Sequence, residues 1–225
     1  MDALRRAVVK KKPEPGASVV QLPVPSPGAG EVLVRVRAAA VCGTDVHIYR
    51  WNAWARNNVR IPLVFGHEIS GTVEATGEGV TSVREGDRVA VETHVPCGHC
   101  FQCKTGSQHI CENMRILGVH MDGGFSDYAV IPEECLWKLP DSVPFEIGAL
   151  YEPCGVAAHS VFSAEVGARV VVIFGCGPIG VMAANIAHVL GAKKVLAVDL
   201  SEERLSMAAS VGADILLNPS RVEVI

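Results

Sequence analysis

Residues 169–180 read RVVVIFGCGPIG, a continuous apolar run that leads directly into three closely spaced glycines. The apolar run is typical of a strand buried on both faces, as in a parallel sheet. Gly175, Gly177 and Gly180 match the G-x-G-x-x-G pattern of a tight turn that opens a helix, here expected over Val181–Leu190. A strand, a glycine turn and a helix in this order predict the start of a doubly wound α/β domain.

The residues after the glycine turn fit the same domain. Val195–Val198 is predicted to be a second buried strand, and it is closed by Asp199. A carboxylate at this place can accept hydrogen bonds from an adenosine ribose and would repel a 2′-phosphate, which favours NAD over NADP. Ser201 is expected to be the N-cap of another helix, with Arg204 in its first turns, and Asp214–Leu217 is expected to be a third strand.

The part of the chain before these strands has a different pattern, with short strands bounded by glycine or proline and few helices. The predicted strands are Glu31–Ala40, Gly71–Ala75, Asp87–Glu92 and Ser126–Ile131. Such strands are typical of a partly open antiparallel β-barrel. We therefore predict a β-rich catalytic domain over residues 1–155 and an incomplete Rossmann domain over 156–225, an α/β fold with a β-rich domain.

The composition of the chain excludes several classes of function for this protein. The chain has 225 residues, a net charge of −4 and 49% hydrophobic residues, which indicates ordered domains. Its one basic run, Lys10–Lys12, is interpreted as a solvated surface turn, so no nucleic-acid partner is expected. With no signal-peptide or membrane-spanning stretch, we expect a cytoplasmic protein and no membrane partner. Its eight cysteines are then expected to be metal ligands or free thiols.

Four cysteines follow one another closely with the spacing x2, x2 and x7: Cys97, Cys100, Cys103 and Cys111. A compact loop with this spacing can wrap four thiolates around one Zn²⁺ and leave no open position, as structural zinc sites do. An iron–sulfur cluster and paired disulfides are the alternatives, and the cytoplasmic context disfavours disulfides. Because four thiolates complete the shell, His99 and His109 are expected to be surface histidines.

A second, mixed set of metal-binding residues follows two predicted strand boundaries. Cys42 comes after one strand, and His67 and Glu68 precede another, so two turns could bring the three side chains together. Three protein ligands with an open position are typical of catalytic zinc. Glu152 lies at the junction of the two regions, where a cleft between domains would open. It is a candidate ligand, a candidate base, or a helix-terminus carboxylate.

With these residues assembled, the chain resembles the zinc-containing medium-chain alcohol dehydrogenase superfamily, whose N-terminal domain is a chaperonin-10-like barrel. The resemblance extends along essentially the whole chain. Three segments, CGTDVHIY at 42–49, WNAW at 51–54 and ETHVPCGHC at 92–100, look most like L-threonine 3-dehydrogenases. Sorbitol-type polyol dehydrogenases are the nearest alternative.

The resemblance implies roles for the residues of the barrel. It places a catalytic zinc among Cys42, His67 and Glu68, with Glu152 either in its shell or just outside it in proton transfer. It assigns a proton relay from the alcohol through Thr44 to His47 and solvent, and it places His94 near the substrate. In the second domain it implies that the pyrophosphate, nicotinamide and adenosine of NAD are contacted by Gly175, Gly177, Ile179, Gly180, Asp199 and Arg204.

The activity implied is NAD-dependent oxidation of L-threonine to 2-amino-3-oxobutanoate, with one catalytic and one structural zinc. A polyol such as sorbitol or a butanediol is the alternative substrate, so the expected partner is a small alcohol or amino acid. The resemblance also implies a homo-oligomer, either a homotetramer or a homodimer, and a role in amino-acid degradation. Superfamily members continue well past residue 225, which predicts a truncated chain with an unpaired sheet edge and little activity, or an inactive zinc-binding fragment.

Overall fold

The computed structural model describes residues 3–221. The chain divides into two compact units, Met1–Tyr151 and Glu152–Ile225, each described below within those residues. All strand pairs of the first unit are antiparallel, and they form sheets in the orders β2-β1-β4, β10-β6-β5-β3-β9 and β7-β8. The strands are β1 (Leu4–Lys10), β2 (Ser18–Pro23), β3 (Glu31–Ala40), β4 (Leu63–Val64), β5 (Glu68–Thr76), β6 (Arg88–Val91), β7 (His94–Val95), β8 (Arg115–Ile116), β9 (Tyr128–Pro132) and β10 (Leu136–Lys138). This architecture confirms the predicted β-rich barrel domain.

Strand β3 organises the core of this unit, because it pairs with β5 on one side and with β9 on the other. Val34 lies opposite Val73 of β5, and Val32 lies opposite Ile131 of β9. These side chains are almost completely buried and belong to one apolar cluster, which removes a continuous apolar surface from water. Packing of this core therefore fixes the register between β3 and β5, and with it the residues that lie opposite each other where the two strands end.

The first unit contains more helix than the sequence indicated. Its helices are α1 (Gly43–Arg50), α2 (Ala53–Asn58), α3 (Phe101–Lys104) and α4 (Phe145–Gly148), and α5 (Tyr151–Phe162) begins at its last residue. The helices before Asp141 are few and short, as predicted, but the sequence analysis placed neither α1 nor α2. Helices of eight and six residues are too short to show a sustained 3.6-residue apolar period, so the pattern that reveals longer helices is missing.

The interpretation of Lys10–Lys12 as a solvated surface turn is wrong for Lys10. The side chain of Lys10 is completely buried, and its Nζ donates to the backbone oxygens of Glu14, Gly16 (2.8 Å) and Tyr49 (3.0 Å). Desolvation by burial lowers its pKa. Three carbonyl acceptors satisfy the three ammonium donors, which makes this burial tolerable and ties β1 to the end of α1.

The second unit is a short parallel sheet with helices. Strands β11 (Val170–Phe174), β12 (Lys194–Val198) and β13 (Ile215–Leu217) lie in that order and pair in parallel. Helix α6 (Pro178–Val189) connects the first two strands and α7 (Glu202–Ser210) connects the last two. The alternation of parallel strands with helices confirms the incomplete Rossmann domain. Helix α6 begins three residues earlier than predicted, since Gly177 is its N-cap.

Burial of β11 on both faces is not observed. Val170, Val172 and Phe174 are 58%, 44% and 68% exposed, whereas Val171 and Ile173 pack against the apolar cluster shared with α6. The helices described for this unit cover the face that carries Val171 and Ile173, and side chains alternate between faces along a strand.

Among the helices within residues 3–221, none combines the length and apolarity needed to cross a bilayer.

Candidate metal centres and nucleotide site

Sheet register brings the mixed metal-binding residues together. The last residue of β3, Ala40, lies opposite the first residue of β5, Glu68. Cys42 follows β3 by two residues as the N-cap of α1, and His67 directly precedes β5. Cys42 therefore meets His67 and Glu68, which follow it by about 25 residues in sequence, at one end of the same strand pair.

The three side chains form a compact set of donors. Cys42, His67 and Glu68 each offer one ligand atom, and these atoms lie within 4.8 Å of one another. His67 and Glu68 are buried and Cys42 is half-buried. Desolvation by burial raises the pKa of the Cys42 thiol and of the Glu68 carboxyl, so both resist ionisation by themselves. A bound dication would offset that cost, which is the electrostatic arrangement of a metal site.

Asp45 is a residue of this site that the sequence analysis missed. Its Oδ2 accepts a hydrogen bond of 2.9 Å from the backbone N–H of Cys42, and its Oδ1 lies 3.6 Å from Nδ1 of His67. Both Oδ1 and Nδ1 are buried and make no hydrogen bond among the described residues. A carboxylate behind one imidazole nitrogen orients the ring and leaves Nε2 for a metal, as in many metal sites. The residue could have been found from its place three residues after an N-cap.

The turn before His67 depends on Gly66. Its φ of +90° lies in the left-handed region, where side chains are unfavourable. A Cβ atom at this position would also lie 2.3 Å from the ring of Phe125, well inside van der Waals contact. Only glycine satisfies both conditions, so Gly66 fixes the direction in which the chain enters His67 and Glu68.

Thr44 and His47 both lie on α1, three residues apart and hence on one face of the helix. Thr44 is half-buried and His47 is exposed. Nδ1 of His47 lies 2.7 Å from Nδ2 of Asn52, and its ring centroid lies 6.0 Å from that of Trp54. The relay that the resemblance assigns to Thr44 and His47 stays a prediction.

His94 is held by Glu92, which lies two residues before it, between β6 and β7. Its Nδ1 and its backbone nitrogen both contact Oε1 of Glu92, at 2.5 and 2.9 Å. Burial would raise the pKa of Glu92, but these hydrogen bonds outweigh burial, and the pKa lies below its ordinary value. The ionised carboxylate therefore keeps Nδ1 of His94 as a donor, which leaves Nε2 as the basic nitrogen of the ring. Its place near a substrate stays a prediction.

The four-cysteine cluster forms a closed loop. Strands β7 and β8 pair on either side of it and join its ends. The sulfur atoms of Cys100 and Cys103 lie 3.4 Å apart, and those of Cys100 and Cys111 lie 3.8 Å apart. Disulfide sulfurs are separated by about 2.05 Å. Four sulfurs around zinc, at about 2.3 Å from the metal, lie about 3.8 Å from one another, so these separations suit a tetrahedral shell.

Electrostatics also favour a cation in this cluster. The backbone N–H groups of Cys97 and Asn113 point at Sγ of Cys111, at 3.2 and 3.3 Å. Hydrogen bonds from the backbone of His99 and other groups lower the pKa of Cys97 to about 6. Burial and the neighbouring sulfurs raise the pKa of Cys103 to about 12, because adjacent thiolates repel one another. A bound dication would allow all four cysteine thiols of the cluster to ionise. His99 and His109 are exposed, as expected.

Glu152 begins the second unit, where it lies in the first turn of α5 and is buried. A carboxylate in the first turn of a helix interacts favourably with the helix dipole. Whether it binds a metal or acts in proton transfer stays a prediction.

The glycine turn joins β11 to α6 with little space to spare. Gly175 has a φ of +89°, and a Cβ on Gly180 would lie 1.9 Å from the carbonyl oxygen of Gly175. These contacts explain why glycine stands at both positions. Gly177 is the N-cap of α6, and Ile179, in its first turn, is 44% exposed. The turn therefore presents backbone and one apolar side chain to solvent at the start of a helix.

Asp199 connects the glycine turn to the turn that follows β12 by accepting a hydrogen bond from each. Its Oδ2 accepts from the backbone N–H of Cys176 at 2.7 Å, and its Oδ1 accepts from that of Ser201 at 2.8 Å. These hydrogen bonds, with that of Ser201 the largest effect, lower the pKa of Asp199. Arg204 lies 3.8 Å from the same carboxylate. A cavity of about 550 Å³ lies beside these residues. A carboxylate has about four acceptor sites, so Asp199 can still accept from a ligand.

Comparison with known proteins identifies the families that the two parts of the chain match. Residues 28–141 match the family described as alcohol dehydrogenase GroES-like domain, and residues 178–225 match zinc-binding dehydrogenase. An L-threonine 3-dehydrogenase from Symbiobacterium thermophilum is 45% identical over 98% of this chain and 64% of its own length.

Two solved structures show the same fold. A zinc-binding dehydrogenase from Sinorhizobium meliloti, bound to NADP, has a TM-score of 0.92 and 30% identity over 99% of this chain and 64% of its own. A 2R,3R-butanediol dehydrogenase from Bacillus subtilis has a TM-score of 0.85 and 34% identity over 98% and 65%. The chain thus spans about 64% of the length of the curated relative. On its family matches and its two clusters of metal-binding side chains, the chain belongs to the zinc-type alcohol dehydrogenases.

Proposed function

We propose that the whole protein oxidises the secondary hydroxyl of L-threonine with NAD, using one catalytic and one structural zinc. The observation that carries this proposal is the set of Cys42, His67 and Glu68, two of them buried and one half-buried, with Asp45 directly behind His67. Three protein donors leave a tetrahedral ion one position for a substrate oxygen, whereas the four-cysteine loop leaves none. When bound, zinc supplies a Lewis acid at that oxygen and NAD accepts the hydride.

The residues of this chain would bind, orient and deprotonate the substrate. Asp45 would hold the ring of His67, and Thr44, half-buried on the same helix, would receive the proton of the substrate hydroxyl and pass it towards His47. His94, oriented by Glu92, would contact the substrate. Glu152 would bind the metal or move a proton beside it.

We infer that NAD binds at the glycine turn. Gly175, Gly177, Ile179 and Gly180 would face the pyrophosphate and nicotinamide, and Arg204 would lie at the adenosine. The ionised Asp199 supports NAD as the cofactor, because it would repel the 2′-phosphate of NADP. The homotetramer, the cytoplasmic location and a role in amino-acid degradation stay predictions.

Replacing Asp199 with alanine is expected to weaken NADH binding about tenfold or more, since a hydrogen bond to a charged group contributes roughly 1.5–3 kcal/mol. NADP binding is expected to weaken less, because the same substitution removes the repulsion of a 2′-phosphate. Titration calorimetry of both nucleotides measures the two effects.

Asp214→Ala is the matched control for this prediction. Asp214 also accepts from a backbone N–H, that of Val195 at 2.8 Å, and from a side chain, that of Lys194, but it lies away from the glycine turn. The control variant is expected to bind NADH as the wild type does. Equal losses in both variants would show that the effect is general destabilisation and would contradict the role of Asp199.

The substrate is tested by NAD reduction with threonine, sorbitol and 2,3-butanediol in parallel, using the intact protein. We expect threonine to give the highest kcat/KM. A polyol is the second candidate, favoured by the likeness to the butanediol dehydrogenase. Faster reduction with sorbitol or butanediol would contradict threonine as the substrate and leave the dehydrogenase chemistry standing. No reduction with any of them would contradict both.

A further inference from the structure

Asn52 lies between α1 and α2 and contacts both helices. Its Oδ1 accepts a hydrogen bond of 3.1 Å from the backbone N–H of Ala55, which makes Asn52 the N-cap of α2. Its Nδ2 lies 2.7 Å from Nδ1 of His47 on α1. One side chain therefore begins one helix and contacts the imidazole on the other.

The contact with Ala55 determines which end of the amide faces His47. An asparagine side chain has an acceptor oxygen and a donor nitrogen, and only the oxygen can satisfy a backbone N–H. If the amide turned over, its nitrogen would face the N–H of Ala55 and the cap would be lost. The NH₂ group of Asn52 must therefore face His47.

A donor at this place determines the proton position on His47. Nδ1 of His47 has to accept from the NH₂ group of Asn52, and a neutral imidazole with an accepting Nδ1 carries its proton on Nε2. The ring of Trp54, with its centroid 6.0 Å away, borders the same imidazole. We propose that Asn52 is a positioning residue that holds His47 as the Nε2–H tautomer.

The consequence for catalysis rests on the proposed function, whereas the tautomer itself does not. In the Nε2–H form, His47 can donate from Nε2 but has no lone pair there to accept a proton. Its remaining lone pair, on Nδ1, is occupied by Asn52. A proton that leaves the substrate through Thr44 can then be accepted by His47 only when the amide of Asn52 turns away. Asn52 thereby controls when His47 acts as a proton acceptor.

The test is Asn52→Asp, with the tautomer of His47 read from its ¹⁵N imidazole signals at about pH 8, above the ordinary range of histidine near 6.5. Aspartate is as good an N-cap as asparagine, so α2 is retained. Its second carboxylate oxygen can only accept, which requires a proton on Nδ1. We expect Nε2–H in the wild type and a switch to Nδ1–H in the variant. His47→Gln identifies the signals of His47 by their loss.

Two other histidines provide references in the same spectrum. Nδ1 of His120 accepts from the backbone N–H of Ile116 at 3.0 Å, which gives an Nε2–H signature. Nδ1 of His99 lies 2.7 Å from the carbonyl oxygen of Cys97, which gives an Nδ1–H signature. Each expected state of His47 can therefore be compared with a residue of the same chain.

Asn58→Asp is the matched control, because Asn58 lies on the same helix and its Nδ2 donates to the carbonyl oxygen of Trp54, not to a histidine. This variant is expected to leave His47 unchanged. An Nδ1–H signature in the wild type, or an unchanged tautomer in Asn52→Asp, would overturn the inference. If the tautomer of His47 switches as expected but the intact wild-type protein does not reduce NAD with threonine, only the proposed function is overturned.

Discussion

Replacing Cys42 with serine is expected to remove one of two zinc ions per chain and to lower NAD reduction by the intact protein about 10³-fold. The hydroxyl of serine is a much poorer zinc ligand than a thiolate at neutral pH, so the mixed cluster loses one of three donors. A polarising metal supplies several kcal/mol in the transition state, and about 4 kcal/mol corresponds to about 10³-fold in rate. Metal content by mass spectrometry and kcat/KM with threonine measure the two effects.

Cys154→Ser is the matched control for that variant. Cys154 is also a half-buried free cysteine, but it belongs to neither cluster of metal-binding residues. It is expected to retain both zinc ions and the wild-type rate. If Cys42→Ser kept both ions and full turnover, the catalytic assignment of Cys42, His67 and Glu68 would be wrong.

Cys100→Ser is expected to remove the other zinc ion and to unfold the loop between β7 and β8. Zinc in structural sites is worth about 10–16 kcal/mol of apparent binding energy in small zinc-dependent peptides, and that energy holds the loop folded. Few apolar residues accompany the sulfurs in this cluster, so little else can replace the metal. Hydrogen exchange over residues 97–114 is expected to accelerate strongly, and zinc content to fall from two ions to one.

Cys135→Ser controls for the loss of a buried sulfur. Cys135 is completely buried and lies in the apolar core of the barrel, outside the four-cysteine loop. We expect it to lose some stability but to retain two zinc ions and a protected loop. Retention of both ions in Cys100→Ser would contradict the structural zinc site.

The two metal clusters differ in how much of them the sequence could predict. The four cysteines share one short loop, so their spacing was sufficient to propose a closed tetrahedral site. Cys42 and Glu68 are far apart in sequence, and nothing local to either one indicates the other. They meet because β3 and β5 pair with Ala40 opposite Glu68, and this register follows from core packing across the whole sheet.

Residues that act through their neighbours were the least predictable. Asp45 and Asn52 look like ordinary helix-capping residues in the sequence. Their contacts with His67 and His47 depend on the turns and helices that place those imidazoles within 4 Å. Such contacts leave no spacing pattern, because each involves a single side chain that has a local structural role as well.

By itself, the sequence determined the order of strands, glycine turn and helices in the second unit and the cysteine loop of the first, since these depend on local periodicity, backbone freedom at glycine and short ligand spacing. Tertiary structure alone decided the meeting of Cys42 with His67 and Glu68, the burial of Lys10, and the proton position inferred for His47. The first two features depend on which distant groups share a low-dielectric space, and that is fixed only when the core has set the register of the strands. The third depends on how the end of α1 and the start of α2 place the amide of Asn52 beside an exposed imidazole.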